Sequence, residues 1–303
     1  MTPQPQQDEP AVTVIREKRH GRLRRWQLAL IARRVLRDPR AGADAADRYL
    51  AGLDGELPTA DGRTGTILVA CDAVYLRRFA PSFLASLRNA GVQHVHLHVC
   101  DGPSAADAGL NDVARGLALS ITSGTHSEAP ALRYPTVHYT AARFLLLHAI
   151  LGRTGAPVLC MDIDALFRRS PWPLLAPALG EHDLVLTERP EWKQATRRTL
   201  AGVVAVNRTE AGRAFAGALS RALHLGLATG PLYHLDQITM TYLIDRMRAR
   251  GTIAIAPLPD GFLTRDGDDD DAVAFVPKGW SGKASDGFER AQEAAVAAAR
   301  RPT

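Results

Sequence analysis

Cysteine is scarce in this chain. Cys71, Cys100 and Cys160 are its only three, no two of them form a CxxC pair, and the count is odd. A disulfide framework or a cysteine-bound zinc is therefore not expected, and a reducing cytoplasm fits. Each cysteine sits in or beside a short apolar run, as a small buried hydrophobe does. No run of about 18 apolar residues occurs, so no membrane span is expected. The first twenty residues are polar, with no apolar stretch of the signal-peptide kind. There is no Gly-rich phosphate loop of the P-loop or dinucleotide type, and no internal repeat. The acidic run "RDGDDDDA" (Arg265 to Ala272) lacks the spacing and terminal Glu of an EF-hand and reads as a solvated loop.

What remains is ordinary for a soluble globular enzyme: 303 residues, 46% hydrophobic and 23% charged, enough for one large domain or two small ones. The net charge of +5 is unevenly spread. Arg16 to Arg40 hold ten Lys/Arg against Glu17 and Asp38, so the rest is slightly acidic and the whole-chain charge gives no reason to expect nucleic acid. Arg16 to Leu36 predicts a basic helix stopped before Pro39. Leu28, Ile31 and Val35 share one face, with Trp26 and Leu30 beside it. Such a helix can dock on the main domain or make a peripheral contact with anionic lipid. The Pro/Gln-rich start is expected to be disordered, and Ala51 to Gly65 reads as a linker. The expected division is a tail, helical extension and linker over 1–62, then a catalytic domain over 63–303 ending in the Ala-rich helix "ERAQEAAVAAARR".

From Thr66 onward strands and helices alternate. Strands are predicted at "TILVAC" (from Thr66), "HVHLHVC" (from His94), "PVLCMDID" (from Pro157), "DLVLTE" (from Asp183), "GVVAVN" (from Gly202) and "TIAIAP" (from Thr252). Helices are predicted over Arg77 to Gly91, Tyr139 to Arg153, Glu210 to Leu223 and Leu235 to Gly251. This is the rhythm of an α/β fold, a mixed and mostly parallel sheet flanked by helices on both faces.

"VLCMDIDALF" (Val158 to Phe167) poses the chemical question. If Val158 to Met161 is a central strand, Asp162 and Asp164 lie at its carboxyl end, where open α/β sheets bind ligands. Residues two apart on a strand point the same way. Two such carboxylates repel unless a cation lies near them. Hard oxygens suit Mg²⁺ or Mn²⁺, and a cation there could grip a diphosphate. The plainer account is a strand end with two solvated turn-capping aspartates. The greasy context on both sides weighs against it. Two enzyme classes use such a strand. One is a phosphatase with Asp162 as nucleophile, whose motif normally opens the domain. The other is a nucleotide-sugar transferase, whose motif sits mid-domain as here.

Five stretches in order resemble glycosyltransferase family 8 and its relatives, the GT-A group that includes glycogenin and bacterial lipopolysaccharide galactosyltransferases. "VLCMDIDALFRRSPWPL" looks like that family's metal strand, "YTAARFLLLHAIL" like its arginine helix, "ILVACDAVY" like its first strand, "LAGVVAVNRTEAGRAF" like "fNaGvmviNl…w", and "YHLDQITMTYL" like "DQdilN". The likeness spans roughly Thr66 to Phe288. It implies a GT-A fold and a hexosyltransferase using Mn²⁺ or Mg²⁺ and a nucleotide-sugar donor, a UDP-sugar by resemblance, with retention at the sugar carbon. It places Asp162, Ile163 and Asp164 at the metal–diphosphate, Cys71, Asp72 and Tyr75 at the nucleoside, and Arg143 at donor phosphate or sugar. Asp236 and Gln237 fall beside the reacting carbon. The acceptor would be a polysaccharide, a glycolipid or another group. Two features depart from the family. Leu200 replaces an Asn. "AFVPKGWSGKASD" lacks the family's metal-binding His, although Lys278 and Lys283 could serve the phosphates. These departures keep a catalytically degenerate sugar-nucleotide-binding protein open.

Outside the motifs, Glu188 closes a strand near the expected site and could touch donor sugar or acceptor, or only make a turn contact. His94, His96 and His98 alternate on one strand face. Zinc could bind there, but the outward face of an ordinary strand explains them as well. His234 precedes the "DQ" pair and reads as a polar loop residue within reach of an acceptor.

Overall fold

The computed structural model describes residues 21–59, 64–104, 109–110, 112–125, 135–230, 233–265, 269, 271–277 and 279–300. The start of the expected basic helix, Lys278 and half of the acidic loop 265–272 lie outside them. The elements run α1 (Arg22–Val35), α2 (Ala43–Ala51), β1 (Asp54–Gly55), β2 (Thr66–Asp72), α3 (Ala73–Asn89), β3 (His94–Cys100), β4 (Ala118–Gly124) and α4 (Pro135–Thr154). Next come β5 (Val158–Met161), β6 (Leu166–Phe167), α5 (Trp172–Glu181), β7 (Leu184–Glu188), α6 (Ala195–Arg198), β8 (Thr199–Val206), α7 (Glu210–Ala228) and α8 (Leu235–Arg248). Last are β9 (Ile255–Pro257), β10 (Leu263–Thr264), β11 (Ala274–Phe275), α9 (Gly279–Lys283) and α10 (Asp286–Ala299). Among the described residues no helix is long and apolar enough to cross a membrane.

Among the described residues the main sheet has eight strands in the order β1-β4-β3-β2-β5-β8-β7-β9. β4, β3, β2 and β5 are mutually parallel. β8 runs against both of its neighbours, β5 and β7. β6, β10 and β11 form a separate small sheet. The strand period of two divides the core. Leu68, Val158 and Cys160 face one apolar cluster with α1, α4, α7 and α8. Ile67, Val69, Leu159 and Met161 face the other, with α3, α5 and α10. Burial on both faces is why β2 and β5 read as unbroken apolar runs.

Three expectations are corrected. The histidines of β3 do not face outward: His96 and His98 are fully buried. Hydroxyls of β4 partner them: His96 Nδ1 lies 2.9 Å from Ser120 Oγ, and His98 Nδ1 lies 3.0 Å from Thr122 Oγ1. Burial, aided by His98, pushes His96 down to about 3. Trp26 and Leu30 do not sit beside the packed face of α1; they are exposed, while Leu28, Ala32 and Val35 pack on the core. The expected linker is not all loop, because Asp54–Gly55 adds an antiparallel edge to β4.

Candidate active site

Strand order reverses beside β2: the chain passes from β2 to β3 and β4 on one side and then places β5 on the other. The carboxyl ends of β2, β3 and β5 therefore open a crevice between diverging connections. Each end delivers side chains to it. Asp72 ends β2 and caps α3, its Oδ1 accepting from Tyr75 N at 2.8 Å. That cap turns Tyr75 inward on the first turn of α3. Asp162 and Asp164 follow β5. Ala201 and Gly202 of the antiparallel β8 pass close by. A Cβ on Gly202 would sit 3.3 Å from Asp162 Oδ2, so glycine is what leaves room for that carboxylate.

Two adjoining cavities result. One, of about 200 Å³, is lined by Cys71, Asp72, Tyr75, Tyr139, Ile163, Asp164 and Lys283 among others. The second, of about 190 Å³, is lined by Ala201, Gly202, Tyr233, His234, Asp236 and Gln237 among others. Thr136, Thr140, Arg143 and Asp162 belong to both and form the wall between them. A larger open hollow of about 1320 Å³, around Pro157, Trp172 and Arg213, lies at the amino end of β5. Among the described residues no Asp, Glu, His or Cys lines it.

Arg143 is the fixed point of the wall. Its side chain is 4% exposed, its Nη1 donates to Asp162 Oδ1 at 2.6 Å, and its Nη2 donates to the Ala201 carbonyl at 2.9 Å. Burial opposes its charge, and Asp162 and then Asp236 more than restore it. Asp164 is 5% exposed and ion-paired with Lys283, which also lies 5.2 Å from the Tyr75 ring centre. Burial first, and Asp162 second, push the Asp164 carboxyl up, with Lys283 pulling the other way. Asp236, in the first turn of α8, is buried and pushed up to about 6 by that burial, against the opposing pull of Arg143. His234 enters α8 with a φ of 62°, in the left-handed region. Backbone strain of that kind costs about 1–3 kcal/mol and persists where packing fixes a turn. Here the turn aims Asp236 and Gln237 at the wall.

The donor chemistry suits a divalent cation. Asp162 and Asp164 offer hard oxygens from one strand end, the kind of ligand such cations take. Among the described residues no third His, Cys, Asp or Glu joins them. Further ligands would be water and phosphate oxygens.

Of the residues singled out in the sequence, Cys71, Asp72, Tyr75, Arg143, Asp162, Ile163, Asp164 and Lys283 line the first cavity or its wall. Asp236 and Gln237 line the second. Glu188 lines neither. Both its oxygens are taken by Arg248, at 2.6 and 3.2 Å, so it locks β7 to α8 instead. Thr136, Tyr139, Thr140 and Tyr233 escaped the sequence reading. The signal was present for three of them: counting back from Arg143 by 3, 4 and 7 gives one helix face. Tyr139 is pushed up to about 12, by burial first and then by Asp101, which bonds its hydroxyl.

No protein-family model matches the chain, and no curated protein does. Solved structures are similar. The galactosyltransferase LgtC, solved in complex with donor and acceptor sugar analogs, is 18% identical with a TM-score of 0.50, over 78% of this chain and 97% of that one. The bifunctional glycosyltransferase WbbM, in its apo form, is 11% identical with a TM-score of 0.53 over 80% of this chain. This chain covers 51% of WbbM, about half its length. What is shared at such identities is the fold, the mixed α/β GT-A architecture expected from the sequence.

Proposed function

We propose that the protein is a metal-dependent glycosyltransferase, moving a sugar from a nucleotide diphosphate, UDP by preference, to a saccharide or lipid-linked acceptor with retention. One observation carries the reading. A carboxylate pair follows β5, with Asp162 in the wall between two small cavities and Asp164 lining the first, and each carboxylate is already held by a cation of the chain. The first cavity suits the nucleoside, with Asp72 and Tyr75 at ribose and base. The second suits sugar and acceptor.

A divalent ion held by Asp162 and Asp164 would neutralise charge on the departing diphosphate. Lys283, on a flexible stem, can exchange Asp164 for phosphate oxygens. Arg143 cannot move, since two acceptors hold its guanidinium, so it presents fixed charge at the wall. Asp236 and Gln237 face the place where positive charge grows on the sugar carbon. A buried anion and an amide there would stabilise the transition state more than the ground state. A phosphatase would need Asp162 free to attack and Asp164 free to donate a proton. Arg143 holds Asp162, the would-be nucleophile, at 2.6 Å, which favours the transferase.

The test is a panel of nucleotide sugars with Mn²⁺ or Mg²⁺, following release of the nucleoside diphosphate. For the active donor, Gln237→Ala should slow single-turnover release by about a hundredfold while UDP affinity stays in place. Loss of rate and UDP affinity together would place the reacting carbon elsewhere. Binding without turnover across all donors and acceptors would identify a degenerate, purely binding protein.

A further inference from the structure

We propose that the outer face of α1 docks the protein on an anionic lipid bilayer. Successive residues of an α-helix turn by roughly 100°. On that wheel Leu28, Ala32 and Val35 form the buried side of α1. Leu23, Trp26 and Leu30 fall on the opposite side, and they are 66%, 60% and 39% exposed. Among the described residues only four large apolar side chains are exposed, and three of them make up this one stripe. Scattered exposed hydrophobics are ordinary; a contiguous stripe marks an interaction surface.

The charges around the stripe identify the partner. Arg22 and Arg33 flank one side and Arg34 the other, and Arg37 continues the line beyond the helix. All four are exposed, and α1 contains five arginines and no acid. The sequence just before it adds Arg16, Lys18 and Arg19. A Trp/Leu stripe bordered by arginine suits the interface of an anionic bilayer, with apolar groups entering among the acyl chains and cations meeting the headgroups. A nucleic acid would gain from the arginines but nothing from exposed Leu23 and Leu30.

The inner side of α1 packs against the segment that leads to the second cavity. Arg24, on that side of α1, donates to the Thr229 carbonyl. Tyr233 and His234, a few residues on, line that cavity. Leu28 and Leu235 both approach Gly226, and Leu235 precedes Asp236.

Flotation of the full chain with vesicles tests the docking. One set is phosphatidylcholine alone; the other contains about one-third phosphatidylglycerol, an anionic surface. The wild type should float with the anionic set only. Arg33→Gln with Arg34→Gln should weaken binding about thirtyfold, roughly fivefold for each arginine lost. Trp26→Ser should weaken it about tenfold or more. Both variants should keep the wild-type melting temperature and donor hydrolysis in solution. Equal binding to neutral vesicles, full binding by either variant, or binding to duplex RNA with none to vesicles would overturn the proposal. Flotation needs no donor, so its failure leaves the transferase reading standing, and a donor panel without turnover leaves the docking standing.

Discussion

Replacing Arg143 by Met tests the electrostatic design of the site. The side chain is 4% exposed and spends its guanidinium on Asp162 and Ala201. Methionine keeps much of the apolar stem, so the cavity term is small. The Ala201 carbonyl loses its donor, which costs about 1–3 kcal/mol for a buried acceptor. Asp162 is 41% exposed and turns to water, so losing that pair costs under about 1 kcal/mol. The carboxyl of Asp236, at about 6 with the arginine in place, is pushed up further without it. Each further unit costs about 1.4 kcal/mol once the group ionises. Relief of the desolvated guanidinium offsets part of this. The balance is about 3 kcal/mol, or a fall of about 6 °C in Tm for a chain of this size. The pH dependence gives the sharper test. A carboxyl raised in the folded state opposes folding only as it ionises, so its penalty grows from the unfolded value of 3.8 up to the folded value. At pH 5 Asp236 is protonated in both folded proteins, and that part of the gap disappears; at pH 7.5 it is full. Melts of wild type, Arg143→Met, Asp236→Asn and the double variant at both pH values measure it. A gap that is equal or wider at pH 5 would refute the coupling. So would a double variant at pH 7.5 that melts no higher than Arg143→Met alone.

Asp236→Asn alone should stabilise the protein above pH 6. The rise from 3.8 to about 6 is about two units, worth up to about 3 kcal/mol. The gain should be absent at pH 4 by urea denaturation, and sugar transfer should be lost at every pH. No gain at pH 7.5 would mean that burial of this carboxylate carries no such penalty. Lys283→Met leaves Asp164 buried without its cation and should cost about 3 kcal/mol. Added Mn²⁺ should restore the lost Tm, and UDP affinity should still fall. A Tm that Mn²⁺ leaves unchanged in this variant would argue against a cation at Asp164.

Much of this arrangement is legible in the sequence, for definite reasons. β2 and β5 show as apolar runs because both their faces are covered. The aspartates show because carboxylates are conspicuous after such a run. Direction does not show: β8 has the same composition as a parallel strand, yet its reversal brings Ala201 and Gly202 to Asp162. β4, "ALSITSG", carries hydroxyls where a core strand carries branched apolar groups. It was missed because Ser120 and Thr122 serve as partners to buried histidines. The same partnership turned "HVHLHVC" from an expected half-exposed strand into a buried one. The place of Trp26 depends on which side of α1 meets α7 and α8, and the helical period alone leaves that choice open. The pairing of Lys283 with Asp164 joins distant parts of the chain and has no local signature at all.

The charges around the wall explain why these groups occur together. Asp162, Asp164 and Asp236 are three acids, and Arg143 and Lys283 are two bases, so the fully ionised set carries −1. Asp72, at the first cavity, makes it −2. A free nucleoside diphosphate is itself strongly negative and would meet repulsion there. Burial first pushes Asp164 and Asp236 up, and the Asp162 charge adds to each shift. Folding has placed acids where burial disfavours them and left them short of positive charge. On the proposed function, Asp162 and Asp164 would hold a divalent cation that brings the missing charge, and Lys283 would turn to phosphate. Binding would then stabilise the fold as well as the ligand, since whatever binds only the folded state draws the equilibrium toward it. Raised carboxyls and a preference for a cation–diphosphate pair would both follow from the same crowding of carboxylates at the end of β5.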